Sequence, residues 1–293
     1  MKSTNNAALA GIGLMMLTCL NSAASGAFAK GLMVGFPLAM VLLVRSLTAW
    51  ALVVPFTPPA RFRAAPHPWL QLLRVALCGI EVPLYFFSLM TLPIVDTMTY
   101  YLATPIYVTA ISTLIGERVG WRRWSAVLVG FVGVLIALRP STAMLTWPAL
   151  VALTGSFLYA GILTITRILR GTDDRVLLVG QQTGVLIFAC VAASLNWVAL
   201  APREIALLSV LGALTLIGSY CTNRSLKLAP ASVVVPYQYT LLPWGALFGY
   251  LFFDETPQAT TLVGAAFIVA AGLYIFLREQ ALARRSMPAI DPA

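Results

Sequence analysis

Long apolar stretches, separated by charged residues, glycines and prolines, fill almost the whole chain. Ten of them are long enough to cross the hydrocarbon core of a bilayer as a helix, which takes about 20 residues. In chain order, spans 1 to 10 cover residues 8–29, 32–55, 69–90, 94–115, 123–139, 147–167, 175–195, 205–226, 230–252 and 258–277. Because they lack the ten-residue alternating segments of a membrane β-barrel, the pattern predicts an all-α membrane protein with ten transmembrane helices.

The connections between spans are mostly short, so the pattern leaves no room for a separate soluble domain. The first thirty residues also resemble a secretory signal, with small residues over 22–29 and a site of the Ala-x-Ala type at 27–29. Their basic start is thin and their apolar run is longer than a signal normally has. We therefore interpret this segment as span 1.

Composition and charge support the same reading. Of the 293 residues, 60% are hydrophobic and 10% are charged, against about 25% charged in typical soluble domains. The net charge of +9 would fit nucleic-acid binding. With the N-terminus inside, however, fourteen of the 19 Lys and Arg residues fall on the inner side and only Lys30, Arg139 and Arg203 fall outside. This positive-inside bias predicts cytoplasmic N- and C-termini and explains the basic charge by topology.

The second half of the chain repeats a pattern of the first half. In the same order and 138 positions apart, Val95, Tyr101, Pro105 and Glu117 correspond to Val233, Tyr239, Pro243 and Glu255. A repeat of five spans is odd in number, so the second copy must enter the membrane from the opposite face. We predict an N-terminal five-helix repeat, 1–140, and an inverted C-terminal repeat, 141–293, that ends in a short cytoplasmic tail. Inverted repeats are typical of secondary transporters, whose substrate site lies near the midplane.

Two prolines lie near the middle of spans 4 and 9. Proline lacks the N–H that bonds the carbonyl four residues back, so Pro105 and Pro243 leave the carbonyls of Tyr101 and Tyr239 without that partner. An unpaired carbonyl in hydrocarbon costs several kcal/mol, which water in a cavity or a substrate ammonium would offset. We interpret both prolines as hinges beside a cavity. Kinks with no role in ligand binding are the alternative.

Polar and aromatic side chains concentrate around these prolines in spans 3, 4, 8 and 9. The predicted substrate-binding residues are Glu81, Tyr85, Thr97, Tyr101, Thr104, Tyr220, Asn223, Gln238, Tyr239 and Trp244. An aromatic cavity with few polar groups suits amphipathic solutes, aromatic ones included. Glu81 and Arg45 lie mid-span, where a charge costs about 2.5–3.5 kcal/mol unless it faces a cavity or a partner. Glu81 is interpreted as a site for a substrate amine or a coupling proton, or as half of a structural pair with Arg45.

Several segments resemble the EamA-type drug/metabolite transporter family. In the first half these are Arg45 in span 2, residues 88–93 before span 4, and Gly116-Glu117 after it. In the second half they are residues 228–232 before span 9 and Asp254-Glu255 after it. The likeness covers nearly the whole chain, and the tyrosine-rich interior is most similar to a bacterial exporter of aromatic amino acids.

Two positions depart from the family pattern. Asp254 stands where glycine is usual, and Arg224 stands where an aromatic or small residue is commoner. The resemblance implies a facilitator of the bacterial inner (plasma) membrane that exports small metabolites, above all amino acids, by alternating access. The expected partners are this small-molecule substrate and the lipid bilayer, with no nucleic acid, cofactor or metal. We interpret the small-residue motifs at 31–35 and 245–249 as packing within one chain, which predicts a monomer.

Three other functional classes stay open at this point. One is a structural or quality-control membrane protein, which would not need the paired central prolines. A phosphorylated-solute or nucleotide-sugar antiporter of the same broad superfamily would need basic residues facing the cavity, and Arg45, Arg224 and Lys227 are the candidates. An intramembrane enzyme would need a nucleophile with its base, a metal cluster or paired carboxylates. The single histidine, His67, lies in a loop between two prolines, and the cysteines are far apart. We therefore predict that the protein is not an enzyme.

Overall fold

The computed structural model describes residues 2–114, 120–138, 146–195 and 197–254, and the single positions 263, 266, 267 and 270. In chain order its helices are α1 (Lys2–Met33), α2 (Leu38–Val53), α3 (Pro59–Arg63), α4 (Pro68–Thr91), α5 (Ile94–Tyr101), α6 (Thr104–Leu114), α7 (Trp121–Leu138), α8 (Trp147–Ile168), α9 (Asp174–Leu195), α10 (Pro202–Leu228), α11 (Ala231–Val234) and α12 (Leu241–Phe253). Short 3-10 helices cover Val54–Phe56 and Val235–Thr240. Within the described ranges no β-strand occurs, and the predicted all-α fold is confirmed.

Spans 1 to 9 all correspond to described helices. Six membrane-length apolar segments occur among the described residues: Ala7–Met33, Leu38–Phe56, Pro68–Thr91, Trp147–Ile168, Asp174–Leu195 and Pro202–Leu228. Span 5 corresponds to α7, and spans 4 and 9 are each divided into shorter helices. Apart from the four single positions, span 10 and the tail lie outside the described residues. Glu117 and Glu255 of the repeat pattern, and Gly116 of the family pattern, lie outside them as well.

Spans 4 and 9 are interrupted at equivalent positions. In span 4, α5 ends at Tyr101 and α6 begins at Thr104. In span 9, α11 leads into the 3-10 helix, and α12 begins at Leu241, close to the position 138 residues after the first break. Pro105 and Pro243 therefore lie in the first turn of a half-helix rather than at a kink inside a continuous one. The physical reason is that N–H groups of a first turn have no helical acceptor, so proline loses nothing there.

The helices pack in matching pairs, as two related repeats require. Helix α1 packs against α10, and α8, which is the counterpart of α1, packs against α4, the counterpart of α10. In the same way α2 packs against α10 and α9 against α4, while the equivalent helices α2 and α9 contact each other. Helix α1 also lies along span 9, as α8 lies along span 4. This pairing is the one expected around a pseudo-twofold axis.

Glycines allow two of these crossings to bring backbones into contact. A Cβ atom added at Gly79 of α4 would lie 2.7 Å from the Gly184 carbonyl oxygen of α9, and one at Gly184 would overlap the Val75 carbonyl oxygen. At the equivalent crossing of α10 with α2, a Cβ at Gly212 would lie 2.6 Å from the Arg45 carbonyl oxygen. Small residues permit such close approach between membrane helices. The two crossings fix the helices that surround the centre of the molecule.

We expect Gly184→Ala to destabilise the protein by about 1–3 kcal/mol, the usual cost of overpacking. The added methyl group meets backbone, which cannot turn away as a flexible side chain can. Gly13→Ala in α1 is the matched control, because a Cβ there meets nothing within 4 Å. Thermal unfolding of the purified protein in detergent should show a lower midpoint for Gly184→Ala alone. Equal midpoints for the two variants would contradict the close crossing.

Candidate functional site

A cavity of about 190 Å³ lies between the two repeats. Residues from α1, α2, α4, α5, α8, α9, α10 and the interrupted span 9 line it. Its aromatic lining residues are Tyr85, Phe86, Tyr101 and Tyr159, and its polar ones include Ser25, Arg45, Arg74, Glu81, Gln181, Asn223 and Gln238. The centre of the protein is therefore a space with aromatic walls and a limited set of polar groups, the usual character of a small-molecule site.

Tyrosines from three helices form an aromatic wall. The rings of Tyr85 and Tyr101 meet edge to face, with their centroids 4.9 Å apart and an angle of 78° between their planes. Tyr159 continues the wall from α8, with its ring 6.2 Å from that of Tyr101. A Cβ at Gly155 would overlap the Tyr101 hydroxyl, so the absent side chain at this position makes room for that phenol. The wall presents ring edges and faces to the cavity.

Arg74 is a buried cation, and four of its five N–H donors bond to protein oxygens. Its Nε donates to Thr166 Oγ1 at 2.7 Å, and Nη1 donates to the Leu177 carbonyl oxygen at 2.8 Å. Its Nη2 donates to Asn223 Oδ1 at 3.1 Å and to Gln181 Oε1 at 3.4 Å. The guanidinium, on a residue only 2% exposed, ties α4 to α8, α9 and α10. Its charge is stabilised by four oxygen acceptors.

Arg45 and Glu81 are neighbours that do not form an ion pair. The Arg45 guanidinium carbon lies 4.6 Å from the centroid of the Phe86 ring, a cation–π contact. The Glu81 carboxylate is close enough to attract it electrostatically. Within the described part of the chain, however, no ion pair joins the two side chains. The residues are 3% and 6% exposed, so both charges are largely withdrawn from solvent.

Five buried polar atoms of the cavity wall have no hydrogen-bond partner among the described residues. They are Ser25 Oγ, Arg45 Nε, the Tyr101 hydroxyl oxygen, Asn223 Nδ2 and Gln238 Oε1. An unpaired buried group costs about 1–3 kcal/mol, and most such groups in proteins are paired. These five all line one cavity. They supply both donors and acceptors for a polar molecule or for water in that space.

Of the ten predicted substrate-binding residues, five line the cavity: Glu81, Tyr85, Tyr101, Asn223 and Gln238. They come from α4, α5, α10 and span 9, so the two repeats both contribute. Binding by these residues stays a prediction, but the fold brings them together in one place.

The other five lie outside the cavity lining, four of them in packing positions and one exposed. Thr97, Thr104 and Tyr239 are buried, and their hydroxyls donate to backbone carbonyl oxygens of neighbouring helices at 3.1, 3.3 and 2.9 Å. Trp244 packs against a cluster of apolar side chains formed by α1, α2 and α4 among other helices. Tyr220 is 45% exposed and faces away from the cavity lining. None of these five lines the described cavity.

Sequence reasoning did not assign Arg74, Tyr159 or Ser25 to the site. Arg74 carried a usable signal, because an arginine inside a span needs buried acceptors just as Arg45 and Glu81 need partners. Tyr159 and Ser25 carried none, since a tyrosine or serine in an apolar helix is common on any face. Only the packing of α8 and α1 against the other helices places them at the cavity.

Comparison with known proteins decides the family. The family model described as "EamA-like transporter family" matches residues 9–139 and 146–277. The chain belongs to the EamA-like transporter family. The two matched stretches follow one another as two copies, in agreement with the repeat seen in the helix pairing. The resemblance predicted from the sequence is thereby confirmed, and the protein is a multi-pass membrane transporter. The amino-acid exporter subtype stays a prediction.

Curated relatives of this EamA-family chain include proteins named as riboflavin transporters and as S-adenosylmethionine uptake transporters. This chain is 29% identical to a riboflavin transporter of Rhizobium johnstonii over 228 residues. The aligned region covers 75% of this chain and 74% of that protein. It is 23% identical over 274 residues to an S-adenosylmethionine uptake transporter of Rickettsia bellii, and the aligned region covers 92% of this chain and 94% of that protein. A solved crystal structure superposes with a TM-score of 0.70 at 16% identity, covering 94% of this chain and 98% of the other. That likeness shows a shared fold.

Arg74→Met is expected to lower stability by about 1.5–3 kcal/mol, since hydrogen bonds to a charged group are lost and four acceptors lose their donor. The surface substitution Arg63→Met is the control, because Arg63 is exposed in α3. Thermal unfolding in detergent should give a lower midpoint only for the Arg74 variant. A midpoint at or above that of the unmodified protein would mean that desolvation of the guanidinium cancels its hydrogen bonds.

Proposed function

We propose that this transporter carries a small amphipathic metabolite in which an aromatic ring is joined to a polar head group. The observation that carries the proposal is the cavity itself, where the tyrosine wall borders the charges of Glu81 and Arg45 and the unpartnered polar atoms. Aromatic rings pack favourably against aromatic side chains in edge-to-face or offset geometry. The head group would meet the donors and acceptors that the protein leaves open.

Amino acids, the aromatic ones among them, are the first candidates within this class. Riboflavin is a second candidate, favoured by the 29% identity to a riboflavin transporter. S-Adenosylmethionine, named for another relative, joins an adenine ring to an amino-acid head and fits the same description. The cavity volume of about 190 Å³ is below the roughly 300–1,000 Å³ of sites for drug-sized ligands, which favours the smaller amino acids.

A phosphorylated solute fits this cavity less well. Lys227 and Arg224, two of the basic residues that would serve it, both pair with Asp174, at 2.6 Å and 3.6 Å. Four of the five N–H donors of Arg74 are used within the protein. Arg45 is left as the basic group for a phosphate, and the adjacent Glu81 would repel a doubly charged anion.

Alternating access is supported by equivalent contacts at the ends of the two repeats. Lys30 Nζ, near the end of α1, donates to the Leu92 carbonyl oxygen just after α4 at 3.0 Å. Arg167, the residue 137 positions later, donates to the Leu226 carbonyl oxygen near the end of α10 at 2.8 Å. Inverted repeats place these contacts at opposite faces of the membrane. Opening the protein at one face of the membrane would break one contact while the other contact holds. The substrate gradient would then set the direction of transport, which includes export.

We also propose the membrane location, orientation and oligomeric state that the sequence predicts. The chain would lie in the bacterial inner membrane as a monomer, with its termini in the cytoplasm. The support is the positive-inside bias, because Arg61, Arg63, Arg170 and Arg175 all lie in short loops or at helix ends on the same predicted face.

Counterflow in proteoliposomes tests the proposal. Vesicles preloaded with L-tryptophan, S-adenosylmethionine or riboflavin should take up the same labelled compound in at least one case. Tyr101→Leu removes the middle ring of the wall. It should raise the substrate concentration at half-saturation about 2- to 10-fold, since an aromatic contact contributes about 0.5–1.5 kcal/mol. Tyr250→Leu, on an exposed residue of α12, is the control and should leave transport unchanged.

Two results would contradict the proposal. One is counterflow of hexose phosphates with none of the three ring compounds. The other is an equal loss of transport in the Tyr101 and Tyr250 variants, which would remove the aromatic wall from the site.

A further inference from the structure

Glu81 and Arg45 present one negative and one positive charge, side by side, to the same cavity. We propose that the group which completes this pair is a zwitterion of the α-amino-acid type, with its ammonium on the Glu81 carboxylate and its carboxylate on the Arg45 guanidinium. The inference rests on the proposed function and narrows it to substrates that join an aromatic ring to such a head. It also makes Glu81 and Arg45 the residues that determine specificity.

Arg45 is prepared to bind a carboxylate. Its guanidinium is held over the Phe86 ring, and its Nε has no hydrogen-bond acceptor in the described part of the chain. A guanidinium binds a carboxylate through two parallel N–H···O bonds, and the bond is stronger where water is excluded. A residue that is 3% exposed meets that condition. Arg45 therefore offers an anion site with a fixed direction of approach.

Glu81 is placed to bind an ammonium. Its carboxylate interacts electrostatically with the hydroxyls of Tyr85, Tyr101 and Tyr159, which line the same cavity. An ammonium has three donors, and the carboxylate and the lone pairs of the Tyr101 hydroxyl oxygen supply acceptors for them. The rings around it also favour a cation through their faces. Carboxylate and tyrosines together make a cation site next to the anion site.

The count of available charges matches a zwitterion. Arg74 also lines the cavity, but its three nitrogens already donate to protein oxygens. Arg45 and Glu81 are then the charged lining residues, among those described, whose side chains are not held by such a set of hydrogen bonds to the protein. A singly charged amine or acid would satisfy one of them and leave the other buried without a partner, which is costly. A zwitterion satisfies both.

The position of the aromatic wall agrees with this head-group site. Tyr85 follows Glu81 by four residues on α4, so the two side chains lie on the same face of that helix. The ring of a substrate whose ammonium contacts Glu81 would thus lie beside Tyr85 and Tyr101. Ring and head would be bound by adjoining parts of one cavity.

Competition in the unmodified protein is the first test. Counterflow of labelled L-tryptophan is measured against unlabelled tryptophan, tryptamine, which lacks the carboxylate, and indole-3-propionate, which lacks the ammonium. Each analogue should compete at least about tenfold more weakly than tryptophan, because it leaves one buried charge unpaired. Labelled S-adenosylmethionine serves as a second probe with the same head. An analogue that competes as well as tryptophan would overturn the inference.

Charge-neutral variants give the second test. Arg45→Gln should abolish the preference for tryptophan over tryptamine, and Glu81→Gln should abolish the preference over indole-3-propionate. Arg63→Gln, in an exposed position, and Glu204→Gln, whose side chain accepts from the Ala201 N–H at 2.7 Å outside the cavity, should keep the order of the unmodified protein. If Arg45 and Glu81 had a purely structural role, each variant would weaken the binding of all three compounds by the same factor. That result would overturn the inference. If a variant fails to fold, the order in which the three compounds compete in the unmodified protein decides whether the inference holds.

The outcome also separates this inference from the proposed function. Riboflavin has no zwitterionic head. If the protein transports riboflavin but neither tryptophan nor S-adenosylmethionine, the inference is overturned and the proposed function stands. Transport of none of the three compounds would remove the function itself.

Discussion

A polar group inside the hydrocarbon region must find its partner within the protein, because lipid offers none. The helices of this chain follow that rule closely. Hydroxyls such as those of Thr18, Ser88 and Thr166 donate to the carbonyl four residues back in their own helix. Arg74 shows the same rule for a charge, since its buried guanidinium donates to acceptors on three other helices. The helices are joined partly by satisfying such groups.

Several departures from that rule lie at one place, although Ser112, Thr164 and Gln182 also have unpartnered side-chain atoms away from it. The interruptions of spans 4 and 9, the unpartnered atoms of the wall and the unlike charges of Arg45 and Glu81 all lie at or beside the cavity between the repeats. Irregular backbone at membrane depth is tolerated where it lines a polar space. The two breaks and five of the unpartnered atoms therefore lie where a bound molecule or water can complete them. This grouping is the physical basis for treating the cavity as a substrate site.

The sequence predicts most of the fold because bilayer thickness sets the length of an apolar helix. It also points to Glu81, Tyr85 and Tyr101, since a charge or a proline in mid-span needs a compensating polar environment. It does not separate them from Thr97 and Tyr239, whose hydroxyls are satisfied by backbone carbonyls. When every face of a helix is apolar, periodicity does not say which face meets the cavity. That information lies in the glycine crossings and the pairing of distant helices.

The repeats share a backbone arrangement but not the chemistry of the site. The residues 137 positions after Glu81 and Arg45 are Gly218 and Gln182, both neutral. Gly218 lies against the Asn21 side chain, where an added Cβ would not fit, so that position serves close packing of α10 on α1. A second copy of these two charges would add them to a cavity that Arg45, Arg74 and Glu81 already line, at a cost of several kcal/mol for each one left unpaired. A symmetric frame can exchange two states of similar energy, while the proposed head-group site uses one acid and one arginine that the second repeat does not duplicate.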